Sequence, residues 1–138
     1  MSGPITDDEL ARLEKFLDGP WIAVLATIGS GGAPHLTPIW YNYSDGRITI
    51  SSRKETVKFR NLTRDDRVAL TICSEPQAGE YVTIWGRAET MDGDLIWPST
   101  RAIMARYQEP AGVDAYMAQL QTQNRAIISV QPERVRFR

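Results

Sequence analysis

The sequence predicts a mainly β protein, a small antiparallel barrel of about six or seven strands with a few short helices. Short runs of apolar or alternating residues recur along the chain, and turn-forming residues separate them. Several consecutive runs are joined as hairpins or by short turns, which favours antiparallel pairing over βαβ units. The 138 residues suit one core, so we expect residues 1–138 to form a single domain.

The first elements predicted are one helix and two strands. Thr6, followed by Glu9 three residues later, is a capping box, and Asp18-Gly19-Pro20 ends the helix. "WIAVLATI" then reads as a buried strand, and "GSGGAP" as a hairpin turn. "HLTPIWYNY" is a second strand, in which Pro38 requires a sheet edge, a bulge or a ligand beside it.

The middle of the chain continues as hairpins with one short helix. Asp45-Gly46 is a two-residue hairpin turn, and "RITISS" is the returning strand. "ETVKFRNL" predicts the helix and "DRVALTICS" the next strand. The turn "EPQAGE" leads into a long alternating strand, "YVTIWGRAETM".

The last third predicts two helical pieces and a closing β segment. "DGDLIWPSTRAIMARYQ" contains a helix that we expect from Ser99, with Pro98 at its start. "GVDAYMAQLQ" is a second short helix. "RAIISVQPERVRFR" predicts one or two strands broken at Pro132.

Composition excludes several classes of function. The net charge of -1 gives no general attraction to nucleic acid, and no apolar run is long enough to span a bilayer. The acidic start of the sequence lacks the features of a secretory signal. One cysteine and one histidine exclude a disulfide framework and argue against a zinc site. We therefore expect a cytoplasmic protein without a membrane span, a metal or a nucleic-acid partner.

One short stretch, "SSRKETVKFRNL" (residues 51–62), concentrates positive charge in a slightly acidic chain. It contains one acid, Glu55, and four cations. The cations are Arg53, Lys54, Lys58 and Arg60. Serines at a strand end followed by a lysine at a helix start suit a phosphate group. A solvated basic face balanced by Asp65 and Asp66 explains the same residues, and nucleic-acid binding is a third interpretation.

Aromatic residues mark two other positions. Along a strand, Tyr41 and Tyr43 would point to one side and Trp40 to the other. One side suits core packing, and the two tyrosines suit either a ligand wall or an exposed sheet face. Trp85 beside Gly86 indicates either a close backbone approach to a flat group or a core tryptophan at a bulge.

Read in order, several segments resemble the pyridoxamine-phosphate-oxidase-like family in its split β-barrel form. They are "IAVLATIGSGGAPHLTPIWY", "ITISSRKETVKFRNLTRDDRVAL", "YVTIWGRAE" and, more weakly, "IISVQPERVRF". The combination G-x-P-x-x-x-P-x-W-Y with K-x-x-N-L-x-x-D-x-R resembles the branch that uses the deazaflavin coenzyme F-420. The resemblance implies a homodimer with two sites at the subunit interface.

The resemblance also implies cofactor-binding residues. Lys58 matches the lysine that meets the cofactor phosphate, Ser51 the hydroxyl at the strand end, and Asn61 the asparagine of the K-x-x-N motif. The second strand would border the ring and tail, largely through backbone groups, at His35, Thr37, Pro38, Ile39 and Trp40. Further candidates are Ser52 and Arg53 by position, and Tyr81 and Trp85 from the partner subunit.

The activity implied is hydride transfer between coenzyme F-420 and an activated C=C or C=O bond, as in quinones, enones or tetrapyrrole-like compounds. Water, Tyr41 or His35 would then supply the proton. A lone histidine is more often a surface or satisfied polar residue. An FMN-dependent oxidase or reductase of the same fold, and a non-catalytic protein that binds deazaflavin or heme, are the alternatives.

Overall fold

The computed structural model describes residues 3–74, 76 and 79–138. In this part of the chain there are four α-helices, a short 3-10 turn and seven strands. The helices are α1 (Asp7–Leu17), α2 (Val57–Arg64), α3 (Ile96–Tyr107) and α4 (Val113–Leu120), and the 3-10 turn is Pro110–Gly112. The strands are β1 (Ile22–Ile28), β2 (Pro34–Ile39), β3 (Asn42–Ser44), β4 (Arg47–Arg53), β5 (Arg67–Cys73), β6 (Tyr81–Met91) and β7 (Arg125–Phe137). The predicted turn "EPQAGE" lies partly outside the described residues, at Glu75, Gln77 and Ala78.

The strands form one antiparallel sheet in the order β2-β1-β5-β6-β7-β4-β3. Its two edge strands, β2 and β3, are consecutive in the chain and are separated only by Trp40 and Tyr41. A sheet whose opposite edges are joined by two residues has to roll up until those edges meet. The edges do not pair in the described chain, so the barrel is left open between β2 and the part of β4 that extends beyond its pairing with β3. This architecture is the split β-barrel that the sequence predicts.

All seven strands turn apolar side chains to one interior, which α1 and α2 close. Adjacent residues of β7 show the two sides of the barrel wall, because Ile128 belongs to this interior whereas Ile127 packs outside it. The outer cluster consists of apolar residues of α3 and α4 with the aromatic rings around them. Trp40, Trp97, Tyr107 and Tyr116 are those rings. The helices therefore form a small second core against the outer face of β7.

Local signals confirm most of the predicted boundaries. The Thr6 hydroxyl accepts from the Glu9 N–H at 3.1 Å, and the Glu9 carboxylate accepts from the Thr6 N–H at 3.1 Å, which completes the capping box. Asp45 and Gly46 have φ of 54° and 76°, the left-handed values that a type I′ hairpin turn requires. The 11 residues of β6 match the predicted strand residue for residue.

Three predicted boundaries are wrong. "HLTPIWYNY" forms two strands, β2 and β3, because the chain crosses from one sheet edge to the other at Trp40 and Tyr41. Helix α3 begins at Ile96 rather than Ser99, and Pro98 is tolerated because first-turn N–H groups have no partner within the helix. The closing segment is one 13-residue strand, β7, that runs through Pro132.

A bulge explains how β7 passes its proline. The β6–β7 register shifts between Trp85 and Gly86, and Pro132 lies opposite Gly86. A side chain at Gly86 would place its Cβ only 2.1 Å from the Gln131 carbonyl oxygen. The glycine therefore marks a close approach of β7 rather than of a ligand, and Trp85 lies half-buried on the outer face rather than in the core.

Candidate functional site

A cleft of about 400 Å³ lies where the barrel is open between β2 and β4. Strand β2 and the residue after it form one wall, and β4, β7 and α2 form the other. The two helices of the outer core supply its remaining side. The lining residues are Ile22, Pro38, Ile39, Trp40, Ser51, Lys58, Met104, Tyr116 and Arg125. None of these described lining residues is an acid.

Two of the lining residues are cations. Lys58 lies in the first turn of α2, and Arg125 is the first residue of β7. The Arg125 side chain donates from Nε to Ser51 Oγ at 3.1 Å and from Nη1 to Gln123 Oε1 at 2.6 Å. Neither Lys58 nor Arg125 forms an ion pair with any residue that the structure describes.

The two cations of the cleft are penalised mainly by burial. Burial, followed by the charge of Arg125, lowers the pKa of the Lys58 ammonium. Burial is also the main cause that lowers the pKa of the Arg125 guanidinium; Tyr116 and Glu55 oppose this shift, and the charge of Arg53 adds to it. An anion between the two cations would relieve this repulsion.

The acids proposed to balance the basic stretch have other partners. Asp65 accepts a hydrogen bond from Arg67 at 2.7 Å, and Asp66 accepts one from Arg87 at 2.6 Å. Two of the four cations in the stretch do find acids. Lys54 donates to Asp92 at 2.6 Å, and Arg53 to Glu55 at 2.9 Å. Lys58, which lines the cleft, is therefore not part of a face balanced by Asp65 and Asp66.

Aromatic and apolar side chains line the same cleft. The Trp40 ring stacks on Tyr107 with centroids 4.8 Å apart and planes at 3°, and Tyr116 meets Trp40 edge-on at 6.3 Å. The Tyr107 hydroxyl donates to the Trp21 carbonyl at 2.6 Å, which fixes the stack against the start of β1. Met104 and Ile22 complete an apolar surface suited to a flat ring system.

The structure brings five of the predicted cofactor-binding residues together in this cleft. They come from β2 and the residue after it, from β4 and from α2, and are Pro38, Ile39, Trp40, Ser51 and Lys58. Strand β2 is a sheet edge, as Pro38 requires, so its outward backbone groups are available along the cleft.

Two residues predicted to bind the cofactor, Ser52 and Asn61, have side chains that are buried and hydrogen-bonded within the protein. Ser52 is buried, and its hydroxyl lies 3.0 Å from the Arg53 carbonyl and 3.1 Å from Thr56 Oγ1. Asn61 is also buried; its amide donates to Thr27 Oγ1 at 3.0 Å and ties α2 to β1. Their polar atoms have partners inside the barrel, and a role for either residue in cofactor binding stays a prediction.

Arg53 lies beside the cleft rather than in it. Its exposed side chain pairs with Glu55, and it stands directly opposite Arg125 in the β4–β7 register. Its contribution to the site is therefore its charge on Arg125, not a place in the lining of the cleft.

Tyr41 cannot act as the proton donor considered from the sequence. Its side chain is 0% exposed, and its hydroxyl donates to the Gly19 carbonyl at 2.7 Å. Burial raises the Tyr41 pKa far above the ordinary value of a phenol. Tyr43 packs against the same interior, so both tyrosines do point to one side and Trp40 to the other. That side is the core, and neither tyrosine forms a ligand wall.

His35 and Thr37 lie on β2 but face the interior of the barrel. They pair with Thr27 and Leu25 of β1, whose side chains are buried. His35 Nδ1 and Thr37 Oγ1 are buried and have no hydrogen-bond partner among the described residues. Neither lines the cleft, so a role for them at a cofactor stays a prediction that concerns their backbone.

Tyr81 and Trp85 are remote from this cleft in the same subunit. Both line a surface groove with Thr83, Arg136 and Phe137 on the outer face of β6 and β7. If they contact a cofactor, they do so in another copy of the chain, as the sequence resemblance implies.

Sequence reasoning missed four lining residues, namely Ile22, Met104, Tyr116 and Arg125. Arg125 follows the predicted helices by only a few residues and opens the last strand. Only the β4–β7 pairing brings it beside Ser51. A cation at the start of an apolar strand was the available signal.

No helix in the described part of the chain is long and apolar enough to cross a membrane. Nowhere in the same residues do three or more His, Cys, Asp or Glu side chains come together as metal ligands would.

A family model described as pyridoxamine 5'-phosphate oxidase matches residues 10–138. The chain belongs to this family. The match extends well beyond the cleft and includes every strand, so it confirms the resemblance seen in the sequence. Membership in the family is a statement about common descent and fold, and it does not by itself assign the reaction.

Similar proteins include a 5a,11a-dehydrotetracycline/5a,11a-dehydrooxytetracycline reductase from Streptomyces rimosus, 31% identical over 96 residues. The matched segment spans 64% of this chain and 65% of that relative's length. A conserved hypothetical protein from Mycobacterium tuberculosis has a similar structure, with a TM-score of 0.79, 24% identity and coverage of 99% of this chain and 87% of that one. A structure described as an F-420 reductase has a TM-score of 0.70, 22% identity and coverage of 89% and 94%. At these identities the two structures show a common fold.

Proposed function

We propose that the protein is an oxidoreductase that transfers a hydride between coenzyme F-420 and an activated C=C or C=O bond. The observation that carries the proposal is the composition of the cleft. Its lining combines two cations that have no ion pair among the described residues, the ring of Trp40 that stacks on Tyr107, and the edge strand β2. A deazaflavin cofactor has the matching parts, an anionic phosphate tail and a flat ring joined by a flexible chain.

The residues present fit such a cofactor. Lys58 and Ser51 would hold the phosphate, because an ammonium and a hydroxyl donate to its oxygens. The backbone at Pro38 and Ile39 would border the ring, and Trp40 would limit its position. Coenzyme F-420, when bound, supplies a low-potential hydride, and the protein supplies position and electrostatics.

The names of two similar proteins support a reductase, and others of the same fold are named as heme-binding or heme-storage proteins. The Streptomyces rimosus relative is named as a reductase of dehydrotetracyclines, and one neighbour in structure is described as an F-420 reductase. The names come from proteins that share at most 31% identity with this chain. We infer an acceptor with a conjugated C=C or C=O system, held against Met104 and Tyr116.

The proposed reaction adds a hydride and a proton across the acceptor bond. The apolar helices α3 and α4 shield one side of the cleft, which would orient the acceptor and limit water there. The buried Tyr41 hydroxyl is not available as an acid, so we assign the proton to solvent that enters at the open side of the barrel.

The proposal includes a homodimer. Apolar residues on the outer face of β1 and β2 are exposed beside the cleft, with 49% of Ile22, 37% of Val24 and 62% of Leu36 accessible. Ile22 lines the cleft as well as belonging to this patch, so a second copy seated here would cover both. Burial of such a patch is favourable, and the same contact would bring another subunit's residues to the cofactor.

FMN is the second candidate cofactor. The family match itself favours it, because the family is described by pyridoxamine 5'-phosphate oxidase, and FMN also joins a flat ring to a phosphate. The cations and aromatic rings of the cleft suit either cofactor. The choice therefore rests on measurement.

The test is a parallel titration of the purified protein with coenzyme F-420 and FMN, followed by fluorescence, with size-exclusion light scattering on the same sample. We expect saturable binding of coenzyme F-420, weaker binding of FMN and the mass of a dimer. With reduced coenzyme F-420, we expect oxidation of the coenzyme that depends on an added enone or quinone.

Other results would redirect the proposal. Preference for FMN would assign the protein to the flavin-dependent alternative. Tight deazaflavin or heme binding without turnover over a broad acceptor panel would indicate a carrier. Binding of none of these would reject the cofactor assignment altogether.

A further inference from the structure

We propose that Arg125 is a second anion-binding residue of the cleft, and that it makes the site selective for a phosphorylated cofactor over the same ring without phosphate. The inference rests on the proposed function, since it concerns the tail of the same cofactor. In the sequence, Arg125 is marked only as a cation at the start of an apolar strand. The case for it is the arrangement of donors and charges around Lys58 and Ser51.

The side chains around Lys58 mainly present donors. Lys58 and Arg125 have no acceptor atoms. Ser51 accepts from Arg125 Nε at 3.1 Å with one lone pair of its oxygen, and its O–H can turn toward the cleft. Three neighbouring side chains that can donate match the oxygens of a phosphate.

The guanidinium of Arg125 is held in place before any ligand arrives. Nε is fixed on Ser51, and Nη1 donates to Gln123 Oε1 at 2.6 Å. Nη2 makes no hydrogen bond with the described part of the protein, so its donors remain for a ligand. A planar group fixed at two of its three nitrogens loses little entropy when it binds at the third.

The cross-strand neighbour of Arg125 adds to the argument. In the β4–β7 register, Arg53 lies directly opposite Arg125, and like charges in this position destabilise a sheet. Glu55 offsets Arg53 through its ion pair, at 2.9 Å, but no carboxylate of the described chain pairs with Arg125 or Lys58. A bound anion would compensate the two remaining cations.

A specific selectivity follows. The ring contacts in the cleft are the same for a phosphorylated ligand and for its phosphate-free form. Arg125 therefore contributes to the binding of coenzyme F-420 or FMN, and not to the binding of deazariboflavin or riboflavin. This separates a phosphate contact from a general structural role, which would affect both kinds of ligand.

The experiment compares wild type with Arg125→Gln and Arg125→Lys, each titrated with coenzyme F-420 and with phosphate-free deazariboflavin. We expect Arg125→Gln to weaken coenzyme F-420 binding about ten- to a hundredfold, the usual effect of losing a hydrogen bond to a charged group. Deazariboflavin binding should change less than about twofold. Arg125→Lys keeps the charge but loses the planar guanidinium with its several donors, so its affinity for coenzyme F-420 should lie between those of wild type and Arg125→Gln.

Arg60→Gln is the matched control, because Arg60 lies on the same helix as Lys58 but is exposed and outside the cleft. It removes the same charge from the chain and should leave both affinities unchanged. Equal weakening of both ligands by Arg125→Gln, or no weakening of either, would overturn the role of Arg125 while leaving the proposed function intact.

A second probe separates the two proposals. Inorganic phosphate, compared with chloride at equal ionic strength, should raise the melting temperature of wild type and of Arg60→Gln, but not of Arg125→Gln. If no deazaflavin or flavin binds, the proposed function fails, and this phosphate result alone decides whether Arg125 is an anion-binding residue. No stabilisation of wild type by phosphate would then overturn the inference as well.

Discussion

Two clefts of this protein combine arginines with aromatic rings, and they differ in what the arginines contact. The larger, about 650 Å³, lies between α1 and the outer ends of β6 and β7. There Arg12 lies 4.3 Å from the ring centre of Phe137, and Arg134 lies 6.0 Å from that of Trp85. Two acids, Asp8 and Glu9, line the same cleft.

The smaller cleft, at the opening between β2 and β4, has the opposite arrangement. Its rings stack on one another, whereas Lys58 and Arg125 have neither a ring nor a carboxylate as partner among the described residues. In the larger cleft two arginines lie near rings and two acids share the lining, whereas no acid lines the smaller cleft. We therefore propose the smaller cleft as the cofactor site on its balance of charge, not on its size.

The largest effect is expected from Trp40→Ala, which removes the ring stacked on Tyr107. Loss of a large aromatic from the outer core should lower the free energy of unfolding by about 2 to 4 kcal/mol. It should also weaken binding of the cofactor ring, since Trp40 lines the cleft. Chemical denaturation and ligand titration measure the two effects.

Trp97→Ala is the control for this variant, because Trp97 packs against the same outer core but does not line the cleft. It should lower stability to a comparable degree and leave the affinity of the folded protein unchanged. If both variants lost affinity equally, Trp40 would act on binding only through stability.

Lys58→Gln is expected to have the next largest effect. Removal of the unpaired ammonium should reduce coenzyme F-420 affinity by about 1 to 3 kcal/mol, through loss of a charged contact with phosphate. The comparison is with Arg12→Gln in the larger cleft, whose charge already lies over Phe137. That variant should bind the cofactor as wild type does; the reverse order of effects would place the anion site in the larger cleft.

Tyr41→Phe should have a smaller effect and one confined to stability. The variant loses a hydroxyl that donates to the Gly19 carbonyl at 2.7 Å, at an expected cost of about 1 kcal/mol in the free energy of unfolding. Turnover and its pH profile should not change, because the hydroxyl is buried outside the cleft. A large loss of turnover in a folded variant would restore Tyr41 as the acid.

The smallest effect concerns the pH dependence of the apo protein. Folding lowers the pKa of Lys58 below its ordinary 10.5, through burial and the charge of Arg125. The charges that act on Arg125 in turn are those of Arg53 and Glu55. The charged form is therefore penalised in the fold at all pH values below that lowered pKa. As pH rises from there towards 10.5, the unfolded chain retains more protons than the folded one, and the penalty disappears.

Lys58→Met should accordingly make the apo protein more stable at neutral pH, by less than about 1 kcal/mol since solvent screens a half-exposed charge. The advantage should shrink as pH approaches 10.5. Thermal melts of wild type and variant from pH 7 upwards measure the difference. A less stable variant at neutral pH would mean that Lys58 has a stabilising partner.

The fold could be predicted largely because its signals are local. Capping of α1 at Thr6, the Asp45-Gly46 turn and the alternation of β6 each depend on a few neighbouring residues. The boundaries that failed depend on distant contacts. β7 continues through Pro132 only because Gly86 on the neighbouring strand has no side chain that would clash with it. The break after β2 occurs because the chain crosses there from one edge of the barrel to the other.

The part of the candidate site that could be predicted from the sequence is the part that lies within one short segment, residues 51–62. Lys58 and Ser51 share a basic stretch with a recognisable motif, and both line the cleft. Asn61 belongs to the same motif but is used inside the barrel, because its amide reaches Thr27. Arg125 and Tyr116 lie more than fifty residues further on in the sequence, and only the pairing of β7 and the packing of α4 bring them to the site.

A crystal structure of the protein with coenzyme F-420 would test the central claim most directly. We predict phosphate oxygens at about 3 Å from Lys58 Nζ, the hydrogen-bonding distance, and the ring along β2 towards Trp40. A cofactor bound wholly in the larger cleft, between Arg12 and Arg134, would contradict the account, since the unpaired cations would then not be the anion site.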